Sequence, residues 1–199
     1  MLADDKANAT DSELVQQCQK GDRISFRQLY RRYQQRVRST LYQLCGREML
    51  DDLVQEVFLR VWQGLPNLRQ ASYFSTWLYR ISWNVATDQR RQLVRGKQIQ
   101  ERYSQTERSL SEAPQNPSHT ISRPQDTPDL MQLHYQDLVE RGLQSLRLEH
   151  RVVLVLHDLE DVPQKEIAKI LDLPLGTIKS RLFYARSEMR KFLQQQGAL

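Results

Sequence analysis

Between Gln100 and Pro128 the chain is rich in Ser, Gln, Pro, Thr and Asn, and its few apolar residues follow no period. Such a stretch cannot contribute to a core, so the apolar residues on either side are expected to be buried separately. At 199 residues there is room for one ordinary domain or two small ones. With 39% hydrophobic and 27% charged residues and a mean hydropathy of −0.67, two small helical cores with large surfaces fit better than one. From Gln92 to Leu130, five basic residues (Arg95, Lys97, Arg102, Arg108, Arg123) balance five acidic ones (Glu101, Glu107, Glu112, Asp126, Asp129), as suits an uncharged linker that is disordered alone.

Periodicity fixes the fold class on both sides. A first helix is expected from a cap at Asp11 or Ser12 to Gly21, and a second from a cap at Ser25 to a stop at Gly46. In the second, Phe26, Leu29, Tyr30, Tyr33, Val37, Leu41 and Leu44 recur three and four residues apart, along one helical face. A third helix, Met49 to Trp62, repeats the pattern with Leu53, Val57, Phe58 and Val61. A fourth, Tyr73 to Leu93, carries Trp77, Leu78, Ile81 and Val85 on one side. Beyond the linker the spacing resumes at Leu130, Leu133, Leu138, Val139, Leu143 and Leu146. The β-branched run from Arg151 to Leu156 reads as a buried helix, because it keeps helical spacing to Leu146 and Leu159. No strand alternation occurs. The expectation is an all-α chain of two small helical domains: a tail over 1–10, a first domain over 11–93, a flexible linker over 94–129 and a second domain over 130–199.

Composition narrows the function. The net charge of +5 favours anionic partners, nucleic acid among them. Cys18 and Cys45 lie in no CxxC or Cys/His cluster, so neither a metal site nor a disulfide framework is expected. The N-terminus is acidic where a signal peptide is basic, and no stretch approaches a membrane span; a cytoplasmic protein without membrane insertion is expected.

The most specific pattern runs from Val162 to Leu182. Ile167, Ala168 and Leu171 make one short helical face, Asp172 to Gly176 supply a turn, and Ile178 and Leu182 begin a second face. Two short helices joined by a tight turn, with small Ala168 permitting a close crossing, make a helix-turn-helix. Thr177, Lys179, Ser180, Arg181, Phe183, Tyr184 and Arg186 are left for the second helix to present to a major groove. A plain hairpin with a solvated basic face is the simpler alternative. Five basic residues between Pro174 and Phe192 (Lys179, Arg181, Arg186, Arg190, Lys191) against Glu188 alone are more than solvation requires.

The first domain holds other chemistry. Asp51-Asp-Leu-Val-Gln-Glu-Val-Phe-Leu-Arg-Val-Trp62 places Asp52, Gln55, Glu56 and Arg60 on one polar face. Further along, Leu68-Arg-Gln-Ala-Ser-Tyr-Phe-Ser75 precedes a helix with Trp77, Tyr79, Arg80, Trp83, Asn84, Arg90 and Arg91. Aromatics interleaved with arginines suit unpaired nucleic acid, the rings stacking on bases and the guanidinium groups holding phosphates. Trp77 and Ile81 are expected to be buried, and Arg80, Asn84, Arg90 and Arg91 reachable.

With DDLVQEVFLRVW, FSTWLYRISWNVATDQRR and PQKEIAKILDLPLGTIKSRLFYAR in this order, the chain resembles the extracytoplasmic-function sigma factors over nearly its whole length after Asp11. The resemblance implies a non-enzymatic initiation factor that needs no cofactor. Its first domain would be sigma region 2, binding the clamp helices of core RNA polymerase through Asp51, Asp52, Gln55, Glu56 and Arg60. Leu68, Ser72, Tyr73, Phe74, Arg80, Asn84, Arg90 and Arg91 would engage the single-stranded minus-10 element. The second domain would be region 4, reading the duplex minus-35 element and leaning on the polymerase flap, while the linker threads the RNA exit path. Response to stress and control by an anti-sigma factor are implied as well. Two positions depart from the family pattern: Pro163 replaces a usual Ser or Thr cap, and Lys179 replaces an Arg common among relatives, exchanging a bidentate fork for a point charge.

Two rival readings stay open on the residues. A repressor or activator that acts without polymerase would keep the helix-turn-helix but leave the aromatic and basic segment of the first domain without a purpose. A nucleic-acid enzyme would need a carboxylate cluster, a phosphate-cradling glycine loop or a paired nucleophile and base; adjacent carboxylates such as Asp4-Asp5 and Asp51-Asp52 stand without such partners.

Overall fold

A computed structural model describes residues 9–107 and 128–198, with side chains at 9–95 and 135–198. These residues form α1 (Asp11–Gln19), α2 (Arg23–Cys45), α3 (Leu50–Gly64), α4 (Phe74–Glu107), α5 (Pro128–Ser145), α6 (Leu148–Leu154), α7 (Gln164–Leu171) and α8 (Leu175–Gln195). Short 3₁₀ turns over Leu65–Asn67 and Ala71–Tyr73 link α3 to α4, and α6 widens into a π turn over Val155–Leu159. No strand occurs among the described residues.

The ends of the helices follow local hydrogen bonding, and two caps fall earlier than expected. Thr10 caps α1: its hydroxyl accepts from the Glu13 N–H at 3.3 Å, and the Glu13 carboxylate accepts from the Thr10 N–H at 2.7 Å. Asp22 caps α2, accepting from the Ile24 N–H at 2.8 Å, while Ser25, expected in that role, is buried and donates to Asp22. Gly46 ends α2 as expected, with φ at 83° and its N–H donating to Tyr42. The larger difference lies in α4, which continues to Glu107 through residues assigned to the linker. Arg, Gln, Lys and Glu propagate a helix without an apolar stripe, and a reading based on periodicity alone stops too soon there. The remaining linker expectation, residues 108–127, lies outside the described residues.

Val15, Leu29, Val37, Leu41, Val57, Val61 and Leu78 centre the first domain. Val152, Val153, Val155, Ile167, Ile170, Ile178 and Leu182 centre the second, so the β-branched run is the buried helix that its spacing indicates. Trp77 and Ile81, expected to be buried, are half-buried and packed against the core.

The two domains meet, and their buried residues join in one cluster. At the junction lies Arg151, 4% exposed. Its Nη1 donates to the Leu44 carbonyl at the end of α2 (3.1 Å) and to Gln144 Oε1 (2.6 Å). Its Nη2 donates to the carbonyls of Gln144 (2.7 Å) and Leu146 (3.1 Å). Burial, with repulsion from Arg90, holds its pKa below the usual guanidinium value.

Gly64 shows how tightly the first domain is packed. A Cβ there would stand 2.8 Å from Trp77 Cζ2, so the glycine is required by the indole and not by backbone torsion. Gly64→Ala is expected to cost about 1–3 kcal/mol in urea unfolding, with altered tryptophan emission, because a rigid ring must shift. Gly142→Ala should cost less, since its nearest neighbour is the flexible thioether of Met189.

Candidate nucleic-acid interface

The reading surface of the second domain is built by the turn between α7 and α8. Asp172 adopts a left-handed conformation (φ 55°), which aspartate tolerates, and the Leu173 N–H donates to the Ala168 carbonyl at 3.0 Å. Prolines stand at the caps of both helices, Pro163 and Pro174, and neither offers a side-chain acceptor. Ile178, Leu182 and Ala185 are buried beneath α8, which turns Phe183 (69% exposed) and Tyr184 (56%) outward. Lys179, Phe183, Arg186 and Arg190 line an open cavity of about 400 Å³ with Gln164.

The remaining residues expected on this face are placed unequally. Thr177 and Arg181 are half-buried. The Ser180 hydroxyl turns back onto its own helix, donating to the carbonyls of Gly176 and Thr177 (3.1 Å each). Tyr184 stacks on His150, whose Nδ1 lies 3.1 Å from Glu188. Arg186 is held by Asp158 through two bonds, Nε at 3.0 Å and Nη2 at 2.6 Å. These bonds hold the Asp158 carboxyl below its ordinary pKa and raise that of Arg186. Asp158 lies 28 residues away in the π turn, and no local pattern marks it.

In the first domain the segment before α4 is fixed by a residue that the sequence did not single out. Gln19, at the end of α1, donates from Nε2 to the carbonyls of Leu65 (3.1 Å) and Leu68 (2.8 Å). Leu68 packs on the core, Ser72 is exposed and Tyr73 is 42% exposed. Phe74, expected to stack on a base, is 1% exposed. It sits edge-on to Tyr33 (5.4 Å) and beside Trp77 (6.2 Å), and is a core residue. The correction has a simple cause, since an aromatic residue in a polar segment can face either way and the apolar side of α2 supplies its partner. Arg80, Asn84, Arg90 and Arg91 are exposed along α4 as expected.

The polar face of α3 keeps Asp52 and Gln55 exposed. Glu56 accepts from Arg60 Nε at 2.7 Å, and Arg60 Nη1 reaches Asp88 on α4 at 3.0 Å. Both carboxylates raise the Arg60 pKa, Glu56 the more. Asp51 pairs with Arg38. Leu59 and Trp62, both exposed, add an apolar border to this face that charge patterning did not reveal. Among the described residues no three His, Cys, Asp or Glu side chains come together to hold a metal ion, and no helix is long and apolar enough to cross a membrane.

Residues 29–96 match Sigma-70 region 2, and residues 136–189 match Sigma-70 region 4. The ECF RNA polymerase sigma-E factors of Haemophilus influenzae and Escherichia coli are each 32% identical to this chain, over 93% of it and over 96% and 95% of their own lengths. The chain belongs to the ECF group of the sigma-70 family. The same fold occurs in CnrH, solved in complex with the cytosolic domain of CnrY (TM-score 0.67, 22% identity, 93% of this chain and 97% of that one). It also occurs in the sigma factor RpoE from Bartonella quintana, solved with the anti-sigma factor NepR (TM-score 0.63, 24% identity, 85% and 96%). Region 2 thus contains the α3 face and the exposed residues of α4, and region 4 contains the helix-turn-helix.

The placement of Phe74 within region 2 separates two adjacent aromatics by a stability measurement. Phe74→Ala should cost about 3–5 kcal/mol in thermal or chemical unfolding, as for a buried ring. Tyr73→Ala should stay within about 1 kcal/mol, because its ring is partly solvated.

Proposed function

We propose that this chain binds core RNA polymerase, carries it to promoters and takes part in opening the DNA, and that it performs no catalysis itself. The observation that carries this reading is the presence, in one ECF sigma-family chain, of two surfaces suited to two forms of DNA. On α8, Lys179 and Phe183 stand outward around a cavity edged by Arg186 and Arg190. A helix of this kind suits an intact major groove, where Lys179 and Phe183 address base edges and Arg190 a phosphate. On α4, Arg80, Asn84, Arg90 and Arg91 follow Tyr73 along a solvated face, an arrangement suited to the unpaired minus-10 strand.

The α3 face, with Asp52, Gln55, Glu56 and Arg60 beside Leu59, is the proposed contact with the polymerase clamp. Its activity in the cytoplasm and its control by an anti-sigma factor follow from the same reading. Support for the latter comes from the fold shared with RpoE, solved with the anti-sigma factor NepR, and with CnrH, solved with the cytosolic domain of CnrY. The test is transcription by purified core polymerase with and without this chain, on promoters recovered from the bound complex. Promoter-dependent RNA only with the chain present is expected; DNA binding that never needs polymerase would favour a repressor.

Two outcomes probe the assigned surfaces. In a minus-35 library, Lys179→Ala should change which sequences are preferred, since a base-edge contact carries about 1–3 kcal/mol of discrimination. Arg190→Ala should weaken all sequences alike and lower the salt dependence. Asp52→Lys should leave the fold intact and reduce affinity for core polymerase by tenfold or more, about 1.4 kcal/mol, because a reversed charge repels where it previously matched. Unchanged polymerase binding in the folded variant would overturn the α3 assignment.

A further inference from the structure

A second basic concavity lies away from the helix-turn-helix, where α4 passes the start of α6. It encloses about 510 Å³ and is lined by four arginines, Arg90, Arg91 and Arg95 of α4 and Arg147 before α6. Spacings of three and four residues bring the α4 members to one side of their helix. Among the described residues Glu149 is the one carboxylate in the lining, and Val94 and Leu148 supply apolar groups. Arg90, Arg95 and Arg147 take part in no ion pair among the described residues, while Arg91 shares Asp88 with Arg60. The buried Arg151 adds a further like charge near Arg90, whose repulsion helps to hold the Arg151 pKa low. Cations gathered at one opening repel each other, and an anion that fits among them relieves that repulsion.

We propose that this cavity binds a nucleoside polyphosphate, each part of which meets a matching group. Guanidinium groups hold phosphate oxygens through parallel N–H donors, and several of them around one opening suit a chain of phosphates better than a single one. Glu149 repels phosphate but accepts from N–H and O–H donors, which a base and a ribose carry and inorganic phosphate chains lack. Val94 and Leu148 offer an apolar side to the base, and the volume falls within the range of about 300–1,000 Å³ usual for small-molecule sites. A DNA strand suits the opening less, because its unbroken run of phosphates would pass Glu149 as well as the arginines. The site goes beyond the initiation role and does not depend on it. One consequence does rest on that reading: Arg90 and Arg91 are assigned there to the minus-10 strand, so nucleotide and strand compete for them.

The experiment is calorimetric titration of the full chain at fixed ionic strength with guanosine triphosphate, whose base offers adjacent N–H donors to one carboxylate, and with inorganic triphosphate. The nucleotide should bind at a single site and more tightly than inorganic triphosphate. Arg95→Ala and Arg147→Ala should each weaken it at least ~10-fold, as when a hydrogen bond to a charged group is lost. Arg31→Ala, at an exposed position of α2 outside the cavity, removes the same charge and should change it by no more than ~2-fold, since distant surface charges are screened. Glu149→Ala should act on the two probes in different ways: inorganic triphosphate binds more tightly once a repelling charge is gone, and the advantage of the nucleotide over it shrinks because an acceptor is gone. All four positions are exposed, and an unchanged thermal unfolding curve shows that each variant is folded. Absence of saturable nucleotide binding, a loss in Arg31→Ala equal to that in Arg147→Ala, or inorganic triphosphate binding as tightly as the nucleotide would each overturn the inference. So would a labelled minus-10 strand that loses as much affinity in Arg147→Ala as the nucleotide does, because the cavity would then be a DNA groove. A strand that stays bound while the nucleotide occupies its site would instead strike the assignment of Arg90 and Arg91 to unpaired DNA and leave the nucleotide site standing.

Discussion

The register of α4 governs the rest of the molecule. Leu78, Val85 and Ala86 are buried on one side of this helix, and Trp77 lies against Gly64 so closely that a methyl group would not fit between them. With that side pinned, a period of 3.6 leaves no freedom for the others. Arg80, Asn84 and Arg91 emerge along one solvated line, Asp88 turns toward Arg60 on α3, and Thr76 and Tyr79 turn toward the second domain. One helix thus joins a hydrophobic core, the surface assigned to polymerase, the surface assigned to DNA and an interdomain contact. A change in its rotation would disturb all four together.

The junction between the domains combines a continuous apolar cluster with a buried charge. An unpaired guanidinium in such a place would be very costly, and several hydrogen bonds are needed to offset its desolvation. Most of those bonds come from the last turn of α5 and the residue that follows it, so the second domain builds its own socket for Arg151 and presents it to the end of α2. Cys45 lies close enough to feel the charge of Arg151, but burial outweighs it and pushes the thiol up to about 11. Cys18, within the first core, is pushed up to about 11 as well. Burial thus disfavours the thiolate, the nucleophilic form, at both cysteines.

What the sequence made legible was whatever depends on neighbours three or four residues away. The apolar face of α2, the polar line of α3, the buried valines of α6 and the two helices around Asp172 all belong to this class. What it hid depends on distant partners. Phe74 was placed on the minus-10 surface because aromatics and arginines interleave there and the family resemblance points the same way, and only the packing of α2 against α4 reveals that Tyr33 receives it. Gln19, Asp88 and Asp158 look like ordinary surface residues until their contacts 46 to 49, 28 and 28 positions away are seen. Glu140, Glu160 and Glu166 are isolated in sequence and share one interface in space. The caps at Thr10 and Asp22 were missed for a different reason: several small polar residues stand before each helix, and the choice among them is made by side-chain geometry that composition does not encode.

The cations of α8 illustrate why counting charge is not enough to assign a reading surface. Five basic residues on or near one helix look equivalent in sequence, but Arg186 is fixed at both its Nε and Nη2 by Asp158, and Arg181 is half-buried. A guanidinium held in this way is oriented by the protein before any DNA arrives, and what remains to it is an exposed edge suited to positioning against a phosphate. Lys179 and Phe183 have no such restraint. If this helix reads a major groove, its discrimination falls on a flexible ammonium and an exposed ring, which favour a guanine edge and a thymine methyl respectively. A single ammonium tolerates small shifts in the base it meets, whereas a bidentate fork does not. Replacing Lys179 by arginine should therefore narrow the range of sequences that this helix accepts.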